Sequence, residues 1–279
     1  MSFPYPVVDR RLAQKLERAE ACANAAFVMA RAATTPASGA TWVEVAGAYA
    51  MFDGVESPIT QTFGLGLFEP VGPVEMDRLE AFFLERGAAV HHEVCPLADK
   101  SLLPLLVERG YSPVELSSVL YLPLPSAPAT AGRPSPVTVR VATTNELEQW
   151  AQTSAAGWSE YSEFAHVILD LARIGAAREG GYPFVAEING QIVATGSLSM
   201  EGRVALLAGA STVPAFRKMG AQQALLDARL QFATAQGCEL AMMAAEPGSA
   251  SQRNAERKGF RIAYTRTKWR LGRELSDRS

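Results

Sequence analysis

Residues 211–226, STVPAFRKMGAQQALL, combine the residue types that can hold a phosphate. An apolar run ends at Val213, Pro214 follows, and a short polar turn containing Gly220 opens a stretch of helical periodicity. Proline has no N–H to give to a ladder, so a strand stops there. If Ala221 begins a helix, its first turn presents N–H groups with no intrahelical partner at the positive end of the dipole. Such a terminus binds anions, and glycine lets the backbone come close to a phosphate. Arg217 and Lys218 add positive charge at the same place. One glycine and two cations also suit an ordinary strand-to-helix turn, so the neighbouring elements must decide.

Those elements follow a clear order. Thr143-Thr144-Asn145-Glu146 is an N-cap cluster ahead of a helix carrying Leu147 and Trp150. A second helix is expected over 162–178, with Phe164, Val167, Ile168, Leu171 and Ile174 spaced for one face. Residues 182–188 read as a strand, Asn189-Gly190 as a hairpin turn, and 191–200 as the returning strand. After Glu201-Gly202 comes a long apolar strand, 204–213, and then the Gly220 turn and a helix over 221–235. A strand over 239–245, a short helix over 249–257 and a last strand over 260–271 complete the chain. The turn thus follows three antiparallel strands, where a dinucleotide-binding fold would have βαβ units. It has neither a glycine triplet nor a Gly-Lys-Ser/Thr sequence.

The two halves repeat one pattern. A helix ends at Gly237, a strand follows, and a second helix ends at Gly259, 22 residues on; in the first half the corresponding glycines, Gly87 and Gly110, are 23 apart. Matching element order at matching spacing argues for two copies of one unit. Between them, Pro123 to Pro136 is rich in Pro, Ala and Ser with one charge, Arg133, as a linker would be. The first half lacks the anion turn. Ahead of the helix near Glu75 stand Glu69, Gly72 and Pro73 with no Arg or Lys, and Pro73 removes a donor where amides would be needed.

Arg217-Lys-Met-Gly220-Ala-Gln222 resembles the pyrophosphate-loop signature of the GNAT (Gcn5-related N-acetyltransferase) superfamily: Arg or Gln, two residues, Gly, one residue, then Gly or Ala. Arg217 and Gly220 match; Gln222 departs. Val213-Pro214 ahead, ALLDARL after and SQRNAERKGF (251–260) downstream also fall where that superfamily has them, and the resemblance covers about residues 138–270. It implies an α+β (α/β mixed sheet) fold with two GNAT-like domains, each a mostly antiparallel sheet flanked by helices. Residues 1–125 would be a degenerate domain without a cofactor loop, 126–136 a linker, and 137–279 an acetyltransferase domain with a V-shaped acetyl-CoA cleft. The degenerate half would pack against the active one and shape a wall of the acceptor site.

The resemblance further implies site residues. Backbone groups of Ser211, Thr212 and Val213 would pair with the pantetheine arm. Amides of Lys218, Met219, Gly220, Ala221 and Gln222 would hold the diphosphate, with Arg217 beside them. Ser251 and Asn254 are candidates to touch the cofactor, or alternatively to cap and solvate their helix. Many relatives place a Tyr acid where this chain has Ala255, so another group serves or the thiolate leaves unaided. Glu246 could be a base, or the carboxylate that starts the next helix. Tyr264 and Tyr182 could donate a proton, or pack. The implied reaction is attack by an amine of a small molecule or peptide on the acetyl-CoA thioester in a ternary complex, the alternative being a non-catalytic acyl-CoA sensor or interaction module. The identity of the acceptor and the oligomeric state are not legible.

Composition narrows the classes. At 48% hydrophobic, 20% charged and a formal charge of -3, the chain is a globular protein with no basic field for nucleic acid. Cys22, Cys95 and Cys238 stand far apart in apolar surroundings, and with His91, His92 and His166 they form no metal-ligand spacing, so no metal is expected. The first twenty residues lack a signal-peptide layout and no apolar run reaches spanning length, which points to the cytoplasm and away from the membrane. The Ala-rich stretch 19–33 reads as a buried amphipathic helix.

Overall fold

The computed structural model describes residues 5–125, 136–158 and 165–272. Residues 126–135 of the expected linker, and 162–164 of the expected second helix, lie outside that set. The fold is a mixed α/β arrangement of sheet and flanking helices in two compact units, each described by itself. One unit comprises Val7–Leu120, Ala245–Gln252 and Ile262–Ser279; the other comprises Met1–Pro6, Tyr121–Ala244 and Arg253–Arg261.

The unit that contains Val7–Leu120 opens with helix α1 (Arg10–Thr34), capped by Asp9, whose carboxylate accepts from the Leu12 amide at 2.8 Å. Strands β1 (Thr41–Val45), β2 (Ala48–Phe52) and β3 (Gln61–Phe63) follow, then α2 (Pro73–Leu84), β4 (His91–Val94), α3 (Leu102–Glu108) and β5 (Tyr111–Pro123). The C-terminal strand β11 (Arg261–Leu271) lies between β4 and β5, giving the order β1-β2-β3-β4-β11-β5. It runs antiparallel to β4, with Lys268 opposite Glu93 and Trp269 opposite His92. Side chains alternate across a strand. On one face Ala21, Ala25 and Val28 of α1 pack on Met51 and Phe63. On the other, Met76, Leu79 and Phe83 of α2 and Leu102 and Leu106 of α3 enclose the core, with Trp269 and Leu271 against it.

The α1 face of β11 is charged. Arg266, 3% exposed, pairs with Glu20 at 2.7 Å, Glu93 at 3.1 Å and Glu17 at 3.4 Å, and lies over the Phe63 ring. Tyr264 donates to Glu17 at 2.9 Å, and Lys268 pairs with Glu93 and Glu115. Burial pushes the Glu17 carboxyl up to about 7, and Arg266 opposes that rise. A buried pair loses several kcal/mol when one partner is removed, because the other is left uncompensated. The network therefore fixes which strand docks here.

In the other unit, β6 (Val137–Val141), β7 (Gly181–Ile188), β8 (Gln191–Glu201) and β9 (Val204–Thr212) form an antiparallel meander, and β10 (Leu240–Ala245) joins β9 in parallel. Asn189 and Gly190 both have positive φ, as the two-residue hairpin between β7 and β8 requires. Helices α4 (Leu147–Ala156) and α5 (Ala165–Ala177) cover one face. Trp150 anchors α4 through Nε1 to the Phe184 carbonyl at 2.9 Å. The buried side of α5 runs through Ala172, Ile174 and Ala176, whereas Val167 is 36% exposed. Of the expected face Ile174 is buried, Ile168 and Leu171 are half-buried and Val167 is exposed, and Ala172 and Ala176 join the core beside Leu169. Helix α6 (Ala221–Ala235) contributes Phe232 against the rings of Tyr182 and Phe184, and α7 (Ala250–Arg257) precedes β11.

Candidate functional site

Strands β9 and β10 begin as a parallel pair and then part. Val204, Ala205 and Leu206 pair with Leu240, Ala241 and Met242, and no pairing continues beyond them although both strands do. Among the described residues the far edge of β9 from Leu207 to Thr212 therefore has no neighbour in the ladder. The sequence supplies the cause. Two residues of β9, Gly209 and Ala210, face the single residue Gly196 of β8, since Ser197 pairs with Ala208 and Thr195 with Ser211. Such a bulge bends its strand and increases the local twist. Gly209 has φ +59, the left-handed conformation that glycine tolerates and other residues resist.

Arg229 of α6 sits against that bulge. Only 4% exposed, it donates from Nη1 to the carbonyls of Ser197 at 3.1 Å and Ala208 at 3.3 Å, and from Nε to Leu225 of its own helix at 3.2 Å. Burial pushes its pKa down to about 10, so it remains a cation at neutral pH. A Cβ on Gly196 would stand 3.1 Å from the guanidinium, so glycine there makes room for it. Neither Gly209 nor Arg229 emerges from a search for chemical motifs. Both left a signal: a glycine inside an apolar strand run, and an arginine on the stripe Leu225, Leu226, Leu230, Ala233.

Beyond β9 the chain turns through Pro214–Phe216 and reaches Gly220, the N-cap of α6, with φ +87. No side chain caps this helix and no acidic residue lies in its first turn. Among the described residues, the amides from Met219 to Gln223 donate to no other group. A Cβ on Gly220 would meet nothing within 4 Å, and residues 217–220 are exposed. Lys218 is also left-handed, at φ +65. The terminus is open.

The other expected residues fall as follows. Ser211 is buried, donating to the Ser154 carbonyl at 3.0 Å; a Cβ on Gly157 would come within 2.6 Å of it, so α4 ends hard against β9. Arg217 reaches the Gly157 carbonyl through Nη2 at 3.0 Å and so serves the C-terminal end of α4. Gln222, the departure from the loop pattern, donates to the Thr212 hydroxyl at 2.7 Å. Its side chain ties the first turn of α6 back to the end of β9. Val213 donates its amide to the Val193 carbonyl at 3.0 Å. Asn254 accepts from Arg257 on the same helix, Ser251 is exposed, and the cap of α7 is Ser249, whose hydroxyl accepts from Gln252 at 3.2 Å. Glu246 is exposed directly after β10, its carbonyl accepting from the Ser249 amide. Ala255 is 1% exposed. Tyr264 belongs to the Glu17 network and Tyr182 packs on Phe232, so the hydroxyl of Tyr264 is already engaged. Among the described residues no three His, Cys, Asp or Glu side chains gather to hold a metal, and no helix is long and apolar enough to cross a membrane.

A profile of the Acetyltransferase (GNAT) family matches residues 144–260. No curated protein matches the sequence. Among solved structures, a GCN5-related N-acetyltransferase from Kribbella flavida superposes with a TM-score of 0.61 at 20% identity, covering 89% of this chain and 97% of that one. One from Sphaerobacter thermophilus gives 0.54 at 19% identity over 80% and 76% of the two chains. A tandem GNAT protein from the clavulanic acid biosynthesis pathway gives 0.55 at 14%, over 81% and 79%. At these identities the structures share the fold. The profile places a GNAT-family domain over residues 144–260, the stretch in which β9 and β10 part and the α6 terminus is open.

Proposed function

We propose that the chain is an acetyl-CoA-dependent N-acetyltransferase whose diphosphate-binding element is the turn from Lys218 to Gln222. The observation that carries this reading is the α6 terminus, with no capping side chain, no acid in its first turn and open space over Gly220. A diphosphate is a dianion of the size that several convergent amides can hold. The residues fit it. Gln222, which would otherwise project near the anion, is turned onto Thr212. The unpaired edge of β9 from Leu207 to Thr212 offers backbone groups to the amides of the pantetheine arm, as an added strand would use them.

The reaction is attack of a neutral amine nitrogen on the thioester carbonyl carbon. The C–N bond forms, the C–S bond breaks, CoA leaves as thiolate, and the amine loses a proton. An oxyanion develops on the carbonyl oxygen, and preorganised N–H groups lower its energy. The bulge at Gly209–Ala210 supplies backbone groups released from the ladder for that purpose. Glu246, exposed directly after β10, is the proposed acceptor for the amine proton, with Ser251 and Asn254 the proposed outer contacts of the nucleotide.

Thermal unfolding with CoA or acetyl-CoA tests the reading. A ligand at about 100 times its Kd stabilises the native state by about 2.7 kcal/mol, a rise in Tm of several degrees. No rise at millimolar acetyl-CoA would remove it. One observation favours a second reading, a non-catalytic acyl-CoA-binding module: position 255 is a buried alanine where the resemblance implies an acid. Release of free CoA with an amine panel would reject it.

A further inference from the structure

We propose that Arg229 is a positioning residue for acyl transfer, holding the Ala208 carbonyl so that the amide of Gly209 points from the open edge of β9. The inference rests on the acetyltransferase reading above and goes on to name what aims the bulge. Ala208 is the last residue of β9 in register before the bulge, and the bulge breaks the ladder beside it. Its carbonyl accepts from two side chains, Arg229 Nη1 at 3.3 Å and the Ser197 hydroxyl at 3.2 Å. Ser197 stands opposite Ala208 on β8, and the same Nη1 bridges the carbonyls of both, so the Ala208 carbonyl is held on the β8 side. The carbonyl of Ala208 and the N–H of Gly209 belong to one planar trans peptide, so they point in opposite directions. With the carbonyl held toward β8, the N–H faces the edge that β10 has left after Leu206.

Two further facts fit an aiming role better than a packing role. The three hydrogen bonds of Arg229 all go to backbone carbonyls, so its charge is not placed there to neutralise a carboxylate. A cation on the carbonyl end of a peptide also polarises its N–H and strengthens it as a donor, and more so inside the protein than in water.

The test compares two ligands that differ only in the acetyl carbonyl. Wild type, Arg229→Met and Gly196→Ala would be titrated calorimetrically with CoA and with acetyl-CoA. Gly196→Ala keeps the charge and displaces it, because the new Cβ falls 3.1 Å from the guanidinium. We expect either variant to lose about tenfold in affinity for acetyl-CoA, the worth of one hydrogen bond, with CoA affinity held within about twofold. The thioester carbonyl stretch of bound acetyl-CoA should also move to higher frequency in the variants, as a carbonyl does on losing a donor. If Arg229→Met does not fold, Gly196→Ala and the carbonyl stretch decide alone. Equal losses for both ligands, or none with the stretch unmoved, overturn the role of Arg229 while leaving the acetyltransferase reading intact. Failure of the wild type to bind either ligand overturns that reading, and this one with it.

Discussion

Helices α2 and α6 each follow a strand and a glycine-containing turn, yet their N-termini are in opposite chemical states. At α2, Gly72 donates its amide to the Glu75 carboxylate at 2.9 Å, and Pro73 has no amide to offer. The run-up is filled: Leu65 and Leu67 are fully buried, and a Cβ on Gly64 would strike the Phe68 ring at 2.7 Å. The Gly66 and Leu67 carbonyls are taken by Arg10 and Gln14 of α1. At α6 there is no capping side chain, no acid in the first turn and nothing over Gly220. A helix N-terminus becomes an anion site only if its amides are left unused, and the side chains in and around its first turn decide that.

The largest effect expected from this contrast is on stability at Gly64. Ala at φ +79 is strained by about 1 kcal/mol, and its Cβ must displace Phe68. Phe68 cannot retreat freely, because Arg18 stacks on its ring at 4.1 Å and Gly47 already touches its Cβ side. Gly64→Ala should therefore cost about 2–4 kcal/mol in urea unfolding. A cost below about 1 kcal/mol would show that the run-up to α2 has room, and the contrast would fail.

A second contrast is in pH dependence. The unit containing α2 buries an ionisable network, with Glu17 facing Arg266, Glu20, Glu93 and Tyr264. Burial raises the Glu17 carboxyl from 4.5 to about 7, so the folded state holds its proton to higher pH than the unfolded state does. The stability that follows is fully present below about 4.5 and is lost as pH rises through about 7. Denaturation of wild type against Glu17→Gln across pH 4.5–7.5 should show wild type falling relative to the variant by on the order of 1–3 kcal/mol. Parallel curves would mean Glu17 is ionised throughout.

Much of this was legible in the sequence, for reasons the structure makes specific. Helix α6 begins at Ala221 and the β7–β8 hairpin turns at Asn189-Gly190, as read, because local chemistry fixes both. The Gly220 turn was readable for the same reason. What was not readable depends on distant partners. Nothing in the periodicity of 260–271 says that this strand pairs with His91–Val94, because register with a strand about 170 residues earlier is set by Arg266, Lys268 and Trp269 meeting Glu93 and His92. On α5 the periodicity finds Ile174 but not Ala172 and Ala176, because alanines are weak in any hydrophobic pattern and only the helix packed against them shows that they are buried. Gln222 looked like a flaw in the loop, and its bond to Thr212 was invisible without the turn that brings them together.

The smallest expected effect on stability falls at the residue on which the proposed CoA binding depends most. Gly220→Ala meets no atom within 4 Å, so only the strain of φ +87 opposes it, about 1 kcal/mol. Urea unfolding should place it well below Gly64→Ala. Its new methyl, however, stands in the open space over the turn, where glycine alone lets a phosphate approach the backbone. Calorimetric titration with CoA should therefore show a loss of at least about tenfold, one or two charge-assisted hydrogen bonds' worth. The two readouts must move apart: a folded, nearly wild-type protein that binds CoA poorly. If Gly220→Ala keeps wild-type affinity, the diphosphate does not sit on this terminus, and the openness of α6 has another cause. If it loses as much stability as Gly64→Ala, the space over Gly220 is not open, and the two helices begin alike after all.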